Sequence, residues 1–442
     1  MAFTMRRSWL FLLSGVWTCV FILMVARIIQ EKTVISDSDK YRSLMFGNDE
    51  SPEDKCDCNK ILQDDHNELE CAKILTLQKS FKNITQITDE QYIKQTEDCE
   101  TFLKTPKYLP FPLSEEEEAF PLAYSIVVHH KVQNFERLLR SIYSPQNFYC
   151  IHVDKKAPHS TRKAISGIVS CFDNVFLVSQ PVVVVYASWS RVQADINCMK
   201  DLYQVNSHWK YFINLCGQDF PIKTNLEMVH MLKKLGGANS LETATTPYYL
   251  ASRWSQSHQV QNGTIMRTNK EKSPPPFGLK VFSGIAYIVV SREFVRYVLE
   301  DPKAQVVMSW VNDTYSPDEF LWATLQRMPG VPGFIRAHSK FDITDIYSIS
   351  RVIKWAGHEG GIDALYPPCQ GIHIRGVCVY GVGDLKWMLQ QHHLFANKFD
   401  TDFDPIAIRC LEKYLRHKAL NQSVYFRHVP KPLGIIWSDL FR

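Results

Sequence analysis

The segment DTYSPDEFLWATLQR, Asp313 to Arg327, fixes a carboxylate at the start of a helix. Its Ser-Pro-Asp-Glu entry predicts Ser316 at the N-cap, Pro317 at the first helical position and Glu319 in the first turn. A carboxylate held in this way can act as a general base. The alternative is a capping box, in which Glu319 binds its own helix start, and the two roles are compatible. The helix N-terminus is expected to lower the pKa of Glu319 and weaken it as a base.

Asp154 closes a predicted strand, the place where an open α/β sheet offers a carboxylate to a ribose or a base. The alternative is an ordinary turn or helix-cap residue. A divalent cation on a D-x-D motif would be the usual partner of a sugar-nucleotide diphosphate, but no such motif ends a strand here. The chain's spaced aspartates lie elsewhere: Asp37 and Asp39 near the N-terminus, and Asp400, Asp402 and Asp404 in a polar loop.

Arg375 and Lys398 are the candidates to supply positive charge in place of a metal. Each lies in an apolar setting, HIRGVCVYG and HLFANKFD respectively. The alternative for both is a solvated surface charge.

Alternating strand and helix patterns after Phe120 predict the scaffold that carries these residues. Such alternation, with short apolar strands, indicates an α/β domain with a mixed, mostly parallel sheet covered on both faces. Ligands of such sheets bind at the carboxyl ends of the strands. The dinucleotide, P-loop and serine-hydrolase glycine motifs are absent from the sequence. Strands are predicted at 123–130, 147–154, 175–179, 182–186, 211–216 and 281–290, and helices at 134–143, 190–203, 226–235, 292–299, 317–326, 384–394 and 405–417.

The ends and composition of the 442-residue chain suggest its organisation. Residues 9–26 are uncharged, mostly apolar and preceded by Arg6 and Arg7, which predicts one membrane span with a cytoplasmic N-terminus; a cleaved signal peptide is the alternative. The expected order is a cytoplasmic tail (1–8), the signal-anchor (9–26), a lumenal stem whose later part is held by disulfides (27–118), the catalytic domain (119–420) and an extension (421–442). A formal charge of +4 argues against a nucleic-acid partner.

Twelve cysteines, eleven of them beyond the expected span, predict disulfides in an oxidising lumen. Zinc is the alternative, but the C-x-C at Cys56 and Cys58 has no matching pair at ligand spacing. Candidate N-glycosylation sequons occur at Asn83, Asn262, Asn312 and Asn421.

Four segments closely resemble one family of sugar transferases. They are YASWSRVQAD (186–195), NLCGQDFPIKTN (214–225), DTYSPDEFLWATLQR and CVYGVGDLKWMLQQHHLFANKFD (378–400), and the likeness covers roughly residues 58–420. The chain is identified as a member of the core 2 β-1,6-N-acetylglucosaminyltransferases, the mucin-type O-glycan branching enzymes of glycosyltransferase family 14. The resemblance implies a GT-A-like, inverting and metal-independent enzyme without a cofactor, placed in the Golgi membrane as a single-pass type II protein.

The resemblance also implies substrates and residue roles. The enzyme would move N-acetylglucosamine from UDP-GlcNAc to the 6-hydroxyl of GalNAc in Galβ1-3GalNAc on mucin-type glycoproteins. Glu319 resembles the general base, and Arg375 and Lys398 the pair that neutralises the leaving diphosphate. Matching donor-site positions are Asp154, Tyr186 and, near the uridine, His129; matching acceptor-side positions are Glu242, Arg253 and Trp355.

By the family pattern, four disulfides join Cys58 to Cys410, Cys99 to Cys171, Cys150 to Cys198 and Cys369 to Cys378. Cys216 stays free near the donor site. Cys56 and Cys71 are additional, and they either pair with each other or link two chains into a homodimer.

Two departures from the family pattern concern the acceptor. Relatives place a lysine three residues before the matching arginine, where this chain has Leu250, and some carry a tyrosine where it has Gly357. Core 4 or I-type branching is therefore the alternative activity. A catalytically silent Golgi lectin is the alternative of another class, disfavoured because a binding module needs no base beside Arg375 and Lys398.

Overall fold

Apolar strands build a central six-stranded sheet in the computed structural model, which describes residues 51–104, 108–335, 348–361 and 364–422. The strands of the described chain are β1 (Leu122–Val128), β2 (Phe148–Val153), β3 (Val175–Leu177), β4 (Tyr211–Cys216), β5 (Asp219–Pro221), β6 (Ser240–Leu241), β7 (Ala244–Thr245), β8 (Gln256–Gln261), β9 (Thr264–Glu271), β10 (Phe282–Ser283), β11 (Ile288–Ser291), β12 (Arg351–Ile353), β13 (Ile372–Ile374), β14 (Val377–Val379) and β15 (Phe395–Asn397). The central order is β3-β2-β1-β4-β11-β6. The first four strands are parallel, and β11 runs antiparallel to both of its neighbours.

Helices cover both faces of this sheet, and further helices pack on the smaller sheet of the described chain. They are α1 (Cys58–Leu62), α2 (His66–Leu77), α3 (Lys79–Thr85), α4 (Asp89–Gln95), α5 (Cys99–Lys104), α6 (Glu115–Glu118), α7 (Val132–Ile142), α8 (His159–Ser170), α9 (Trp189–Val205), α10 (Asn225–Leu235), α11 (Ala251–Ser255), α12 (Arg292–Glu300), α13 (Pro302–Val311), α14 (Asp318–Leu325), α15 (Leu385–Leu389) and α16 (Pro405–Gln422).

Two hydrophobic clusters form the core on the two faces of the sheet. One takes side chains from α7, α8 and α10, the other from α9, α12, α13 and α14. All seven residues of β1 are buried, which a strand covered by helices on both faces requires. Fully burying one such apolar side chain contributes about 1.5–3 kcal/mol to the free energy of folding. Because several are buried along each strand, the strands hold their carboxyl ends in fixed positions.

A third cluster joins a smaller sheet, of order β12-β15-β5, to α16 and to the helices before residue 119. Arg137 on α7 contacts Glu53 at 2.6 Å and Glu412 on α16 at 2.7 Å, and all three side chains are largely buried. The segment from residue 51 onward therefore packs as part of the core rather than standing apart from it.

Five disulfides link the described residues, and four of them are the pairs that the family pattern implies. The fifth joins Cys56 to Cys71 within the chain, which removes the two thiols that an interchain bridge would have used. Among the described cysteines, Cys216 is the one that remains free.

Most predicted elements are confirmed, with shifted ends. The predicted strand 182–186 is wrong, and this stretch is a loop. The N–H of Val182 donates to the His152 ring on β2 and the N–H of Val184 to the carboxylate of Asp154, so neither pairs with another strand. The predicted strand 281–290 is two short strands, β10 and β11, and the predicted helix 384–394 is limited to α15.

The predicted location in a Golgi membrane is wrong on this structure. No helix among residues 51–104, 108–335, 348–361 and 364–422 is long and apolar enough to cross a bilayer. The predicted span, 9–26, lies outside the described residues.

Candidate active site

The carboxyl ends of three adjacent parallel strands form one wall of the site. His129 follows β1, Asp154 follows β2, and Cys216 ends β4. Gly217 donates its N–H to Val127 at 3.2 Å, and a Cβ at this glycine would lie 3.3 Å from Val128. Gly217 therefore packs closely against the end of β1 at this edge of the sheet.

Asp154 is buried and organises the loop 182–188. Its Oδ1 accepts hydrogen bonds from the N–H of Lys156 at 3.0 Å and of Val184 at 3.3 Å. Tyr186 lies on this loop with 74% of its surface exposed. The predicted donor-site residues Asp154 and Tyr186 are therefore joined by one loop, with the aromatic ring free for a ligand.

The same loop contacts the entry to the Glu319 helix, because the N–H of Ser316 donates to the carbonyl of Ala187 at 2.8 Å. Ser316 has a left-handed backbone, with φ of 50°, and α14 begins only at Asp318 with Pro317 as its N-cap. The prediction of Ser316 as the N-cap is thus wrong, and so is the capping-box alternative for Glu319. The side chain of Glu319 is directed toward Arg253 on α11, whose Nη1 donates to Oε2 at 2.8 Å.

The pKa of Glu319 is raised to about 7, first by burial and then by the neighbouring charge of Asp318. Arg253 and the hydroxyl of Ser316 oppose this rise but do not cancel it. The expected lowering by the helix N-terminus is therefore wrong, since desolvation and a like charge outweigh it. The side chain keeps 39% exposure, which allows a substrate hydroxyl to approach.

Gly284 draws Glu242 against the Glu319 helix. Its N–H donates to the carbonyl of Glu319 at 2.8 Å, and a Cβ there would lie 2.1 Å from the carbonyl oxygen of Glu242 and 3.5 Å from Ala323. Only glycine fits this approach. Gly284 thus joins the backbone of Glu242 to the helix of Glu319, and Arg253, also predicted on the acceptor side, pairs with Glu319 directly.

Arg375 and Trp355 meet at one hairpin. Arg375 and Gly376, with φ of 54° and 76°, form the two-residue turn between β13 and β14, as a type I′ turn requires. Trp355 bridges to Val377, and the N–H of Ala356 donates to the carbonyl of Gly376 at 2.9 Å. The Arg375 charge also reaches the sheet edge, since with burial and Lys156 it lowers the pKa of His129.

Lys398 directly follows β15, where Asn397 pairs with Ile353 of β12 in parallel register. Its N–H donates to the carbonyl of Cys378 at 3.3 Å, three residues beyond Arg375 in the same hairpin. Within the described part of the chain, no carboxylate lies within ion-pair distance of Arg375 or Lys398. Arg375 is exposed at the turn rather than set in apolar surroundings.

Comparison with known proteins decides the family. The Core-2/I-branching enzyme family model matches residues 122–389. The chain belongs to this family. It is 55% identical over 373 residues to a human beta-1,3-galactosyl-O-glycosyl-glycoprotein beta-1,6-N-acetylglucosaminyltransferase, covering 84% of this chain and 87% of the relative. It is 57% identical over 335 residues to the human enzyme of that name numbered 3, covering 75% and 76%. A bovine herpesvirus 4 enzyme with the same name is 52% identical over 365 residues, 82% of each chain.

In this branching enzyme, the structure adds residues that the motifs did not single out. Arg191 and Asp195, one helical turn apart on α9, form an ion pair at 2.6 Å beneath the start of α14. Near Cys216, Arg351 pairs with Asp219 at 2.9 Å and lies 3.5 Å from the ring of Tyr287. The i, i+4 spacing of Arg191 and Asp195 is a sequence signal from which their ion pair could have been predicted. Arg351, Asp219 and Tyr287 are too distant from one another in the sequence for their contact to be predicted.

Two groupings of ionisable side chains among the described residues have metal-like spacing: Cys56, Glu68 and Cys71, and Cys369, Cys378 and Asp384. Both contain cysteines already joined in disulfides.

The four sequon asparagines, Asn83, Asn262, Asn312 and Asn421, are all exposed.

Proposed function

We propose that this branching enzyme is an inverting, metal-independent β-1,6-N-acetylglucosaminyltransferase with a GT-A-like catalytic domain. It transfers GlcNAc from UDP-GlcNAc to the 6-hydroxyl of GalNAc in Galβ1-3GalNAc linked to Ser or Thr of a mucin-type glycoprotein. The observation that carries the proposal is the Glu319 carboxylate, which is reachable from solvent, fixed by Arg253 and has a pKa near neutrality. The activities in the names of its relatives support the donor and acceptor classes.

Glu319 acts as the general base in a single displacement. Its carboxylate takes the proton of the 6-hydroxyl as that oxygen bonds to the anomeric carbon of the donor sugar. The bond from the anomeric carbon to the UDP oxygen breaks at the same time, and UDP leaves with the electron pair. Attack from the face opposite the leaving group inverts the anomeric configuration. A base with a pKa of about 7 combines useful basicity with ionisation near neutral pH.

Arg375 and Lys398 stabilise the charge that grows on the departing UDP. Their position supports this role, because Arg375 lies in the β13–β14 turn and Lys398, which follows β15, donates its N–H to Cys378 on β14. Neither side chain forms an ion pair with a carboxylate of the described chain. Asp154, Tyr186 and His129 bind the nucleoside part at the carboxyl ends of β1 and β2.

On the acceptor side, Glu242 and Arg253 hydrogen-bond sugar hydroxyls, while Trp355 covers an apolar sugar face. The indole of Trp355 is 36% exposed beside the Arg375 turn. One observation favours a second acceptor, such as the core 3 disaccharide: a Cβ at Gly357 would meet no atom within 4 Å, so space is open next to Trp355. Leu250 packs partly against the core and offers no charge to an acceptor.

The test is transfer by the purified chain from UDP-GlcNAc to core 1, core 3 and lactosamine acceptors, with linkage analysis of each product. We expect a β-1,6 branch on the GalNAc of core 1 as the main product. Product on lactosamine alone, or no product on any acceptor, would refute the proposal.

The variant Glu319→Gln separates an enzyme from a silent lectin. It keeps the shape and removes the base, so UDP binding measured by calorimetry should be retained while transfer is abolished. Transfer near the wild-type rate would show that another group is the base.

A further inference from the structure

The segment CGQD, Cys216 to Asp219, belongs to one of the four family-like motifs, and the proposed reaction gives it no role so far. It lies at the end of β4, at the edge of the sheet where the donor is proposed to bind. Asp219 begins β5, and its side chain is fully buried. A buried carboxylate needs donors around it, because leaving it without them costs free energy.

Three donors bind the carboxylate of Asp219. Its Oδ2 accepts from the N–H of Cys216 at 2.6 Å and pairs with Nη2 of Arg351 at 2.9 Å. Its Oδ1 accepts from the side-chain amide of Asn397 at 2.7 Å. Burial raises the pKa of Asp219, and these three donors oppose that rise. The carboxylate therefore joins the end of β4 to the strands β12 and β15.

Asn397 carries this connection to Lys398, its direct neighbour in the chain. Asn397 ends β15 and is the antiparallel partner of Asp219 on β5, so the side-chain contact adds to a backbone one. Beyond Lys398, the N–H of Phe399 donates to the carbonyl of Gln218 at 2.9 Å. The amide of Gln218 donates in turn to the carbonyl of Phe399 at 3.3 Å. The residues before and after Lys398 are thus both bound to the CGQD segment.

Arg351 fixes Asp219 from the opposite side. It lies on β12, which pairs with β15 in parallel register, and its side chain is buried. Its Nη2 also donates to the carbonyl of Asn214 on β4 at 3.1 Å. Asp219 is therefore held between the central and the smaller sheet, and it cannot move without breaking a buried ion pair.

We propose that Asp219 and Asn397 are positioning residues that hold Lys398 in place for the diphosphate of the donor. Lysine carries its charge on a flexible four-carbon stem. A backbone fixed on both sides of Lys398 reduces the freedom that is lost when the diphosphate binds. This inference rests on the proposed role of Lys398 toward the departing UDP, and it gives the CGQD segment a function in donor binding.

The test compares the binding of UDP and of uridine, which lacks the diphosphate, in Asn397→Ala by calorimetry. This variant removes the amide but keeps the ion pair of Asp219 with Arg351. We expect the Kd of UDP to rise by roughly three- to tenfold and that of uridine to change by less than about twofold. In the Lys398→Met background, the same substitution should raise the Kd of UDP by less than about twofold, because both changes act through one group.

Asn147→Ala is the matched control, because Asn147 is also a buried asparagine but lies at the opposite end of the sheet. Its Oδ1 accepts from the N–H of Leu122 at the start of β1 at 2.9 Å, and its amide donates to Asn225 at 3.0 Å. This control should lower stability and leave the ratio of the two Kd values unchanged. Asp219→Asn should show the same selective loss of UDP affinity, with lower stability because Arg351 loses its countercharge.

Thermal denaturation checks that each variant is folded, and Asn397→Ser replaces Asn397→Ala if alanine is not tolerated. Equal weakening of UDP and uridine, or an unchanged Kd of UDP, would overturn the inference. A full additional loss in the Lys398→Met background would do the same. If Lys398→Met itself binds UDP as tightly as the wild type, the proposed role of Lys398 is wrong. If Lys398→Met weakens UDP binding and Asn397→Ala does not, only the positioning role is rejected.

Discussion

The pH dependence of transfer tests the chemistry of Glu319 most directly. With a pKa of about 7 instead of the usual 4.5, the carboxylate is about 10% ionised at pH 6 and about 90% ionised at pH 8. If the ionised form is the base, kcat/KM for the acceptor should rise roughly tenfold over these two pH units. A carboxylate with an ordinary pKa would be fully ionised throughout, and the profile would be flat.

The assay is transfer of labelled GlcNAc to a core 1 acceptor at constant ionic strength between pH 5 and pH 9, with saturating UDP-GlcNAc. Neither His129 nor His258 explains a limb near 7, because burial lowers the pKa of each below its ordinary value of 6.5. A profile that stays level down to pH 5 would refute the raised pKa. A limb near 7 that persists in a partly active Glu319→Gln variant would assign the titration to another group.

Three further predictions address the cations, the acceptor pocket and the fold. EDTA should leave activity unchanged, and strong inhibition by EDTA would contradict a metal-independent reaction. Arg375→Met or Lys398→Met should lower kcat/KM for UDP-GlcNAc by roughly ten- to a hundredfold in steady-state assays, because each variant loses a charge-assisted contact with the diphosphate. Gly284→Ala should displace Glu242, because its Cβ would lie 2.1 Å from that residue's carbonyl oxygen, and we expect lower acceptor kcat/KM with unchanged UDP affinity. Arg137→Met should reduce the free energy of unfolding in urea by about 3–5 kcal/mol, because it leaves buried carboxylates without their partner; a loss under about 1 kcal/mol would mean that these groups are solvated.

The sequence predicted most of the scaffold because its strands and helices carry strong local signals. The apolar run of β1 and the periodic pattern of α12 are visible without any tertiary information. The stretch 182–186 is predicted as a strand because a run of valines has high β propensity, but it is part of a loop. Its N–H groups instead bond to His152 and Asp154, a tertiary contact that propensity cannot express.

The candidate site was predicted residue by residue from motifs, but its electrostatics were not. The expectation for Glu319 considered the helix N-terminus alone and gave a lowered pKa. Burial and the Asp318 charge reverse that direction, and burial depends on how α14 packs against α9, α13 and β10. Likewise, Ser316 was expected to cap the helix, whereas its left-handed backbone makes it the turn that joins α14 to the loop of Tyr186.

The opposing effects of Arg253 and Asp318 predict that the strength of the proposed base, Glu319, responds to its substrate. Arg253 binds Glu319 at 2.8 Å and lowers its pKa, while Asp318 raises it from the same helix. If an acceptor sugar takes hydrogen bonds from Arg253, the guanidinium is drawn from Glu319 and the influence of Asp318 prevails. The base would then be strongest when an acceptor is bound. The acidic limb of kcat, which reports the enzyme–substrate complex, should accordingly lie at higher pH than that of kcat/KM.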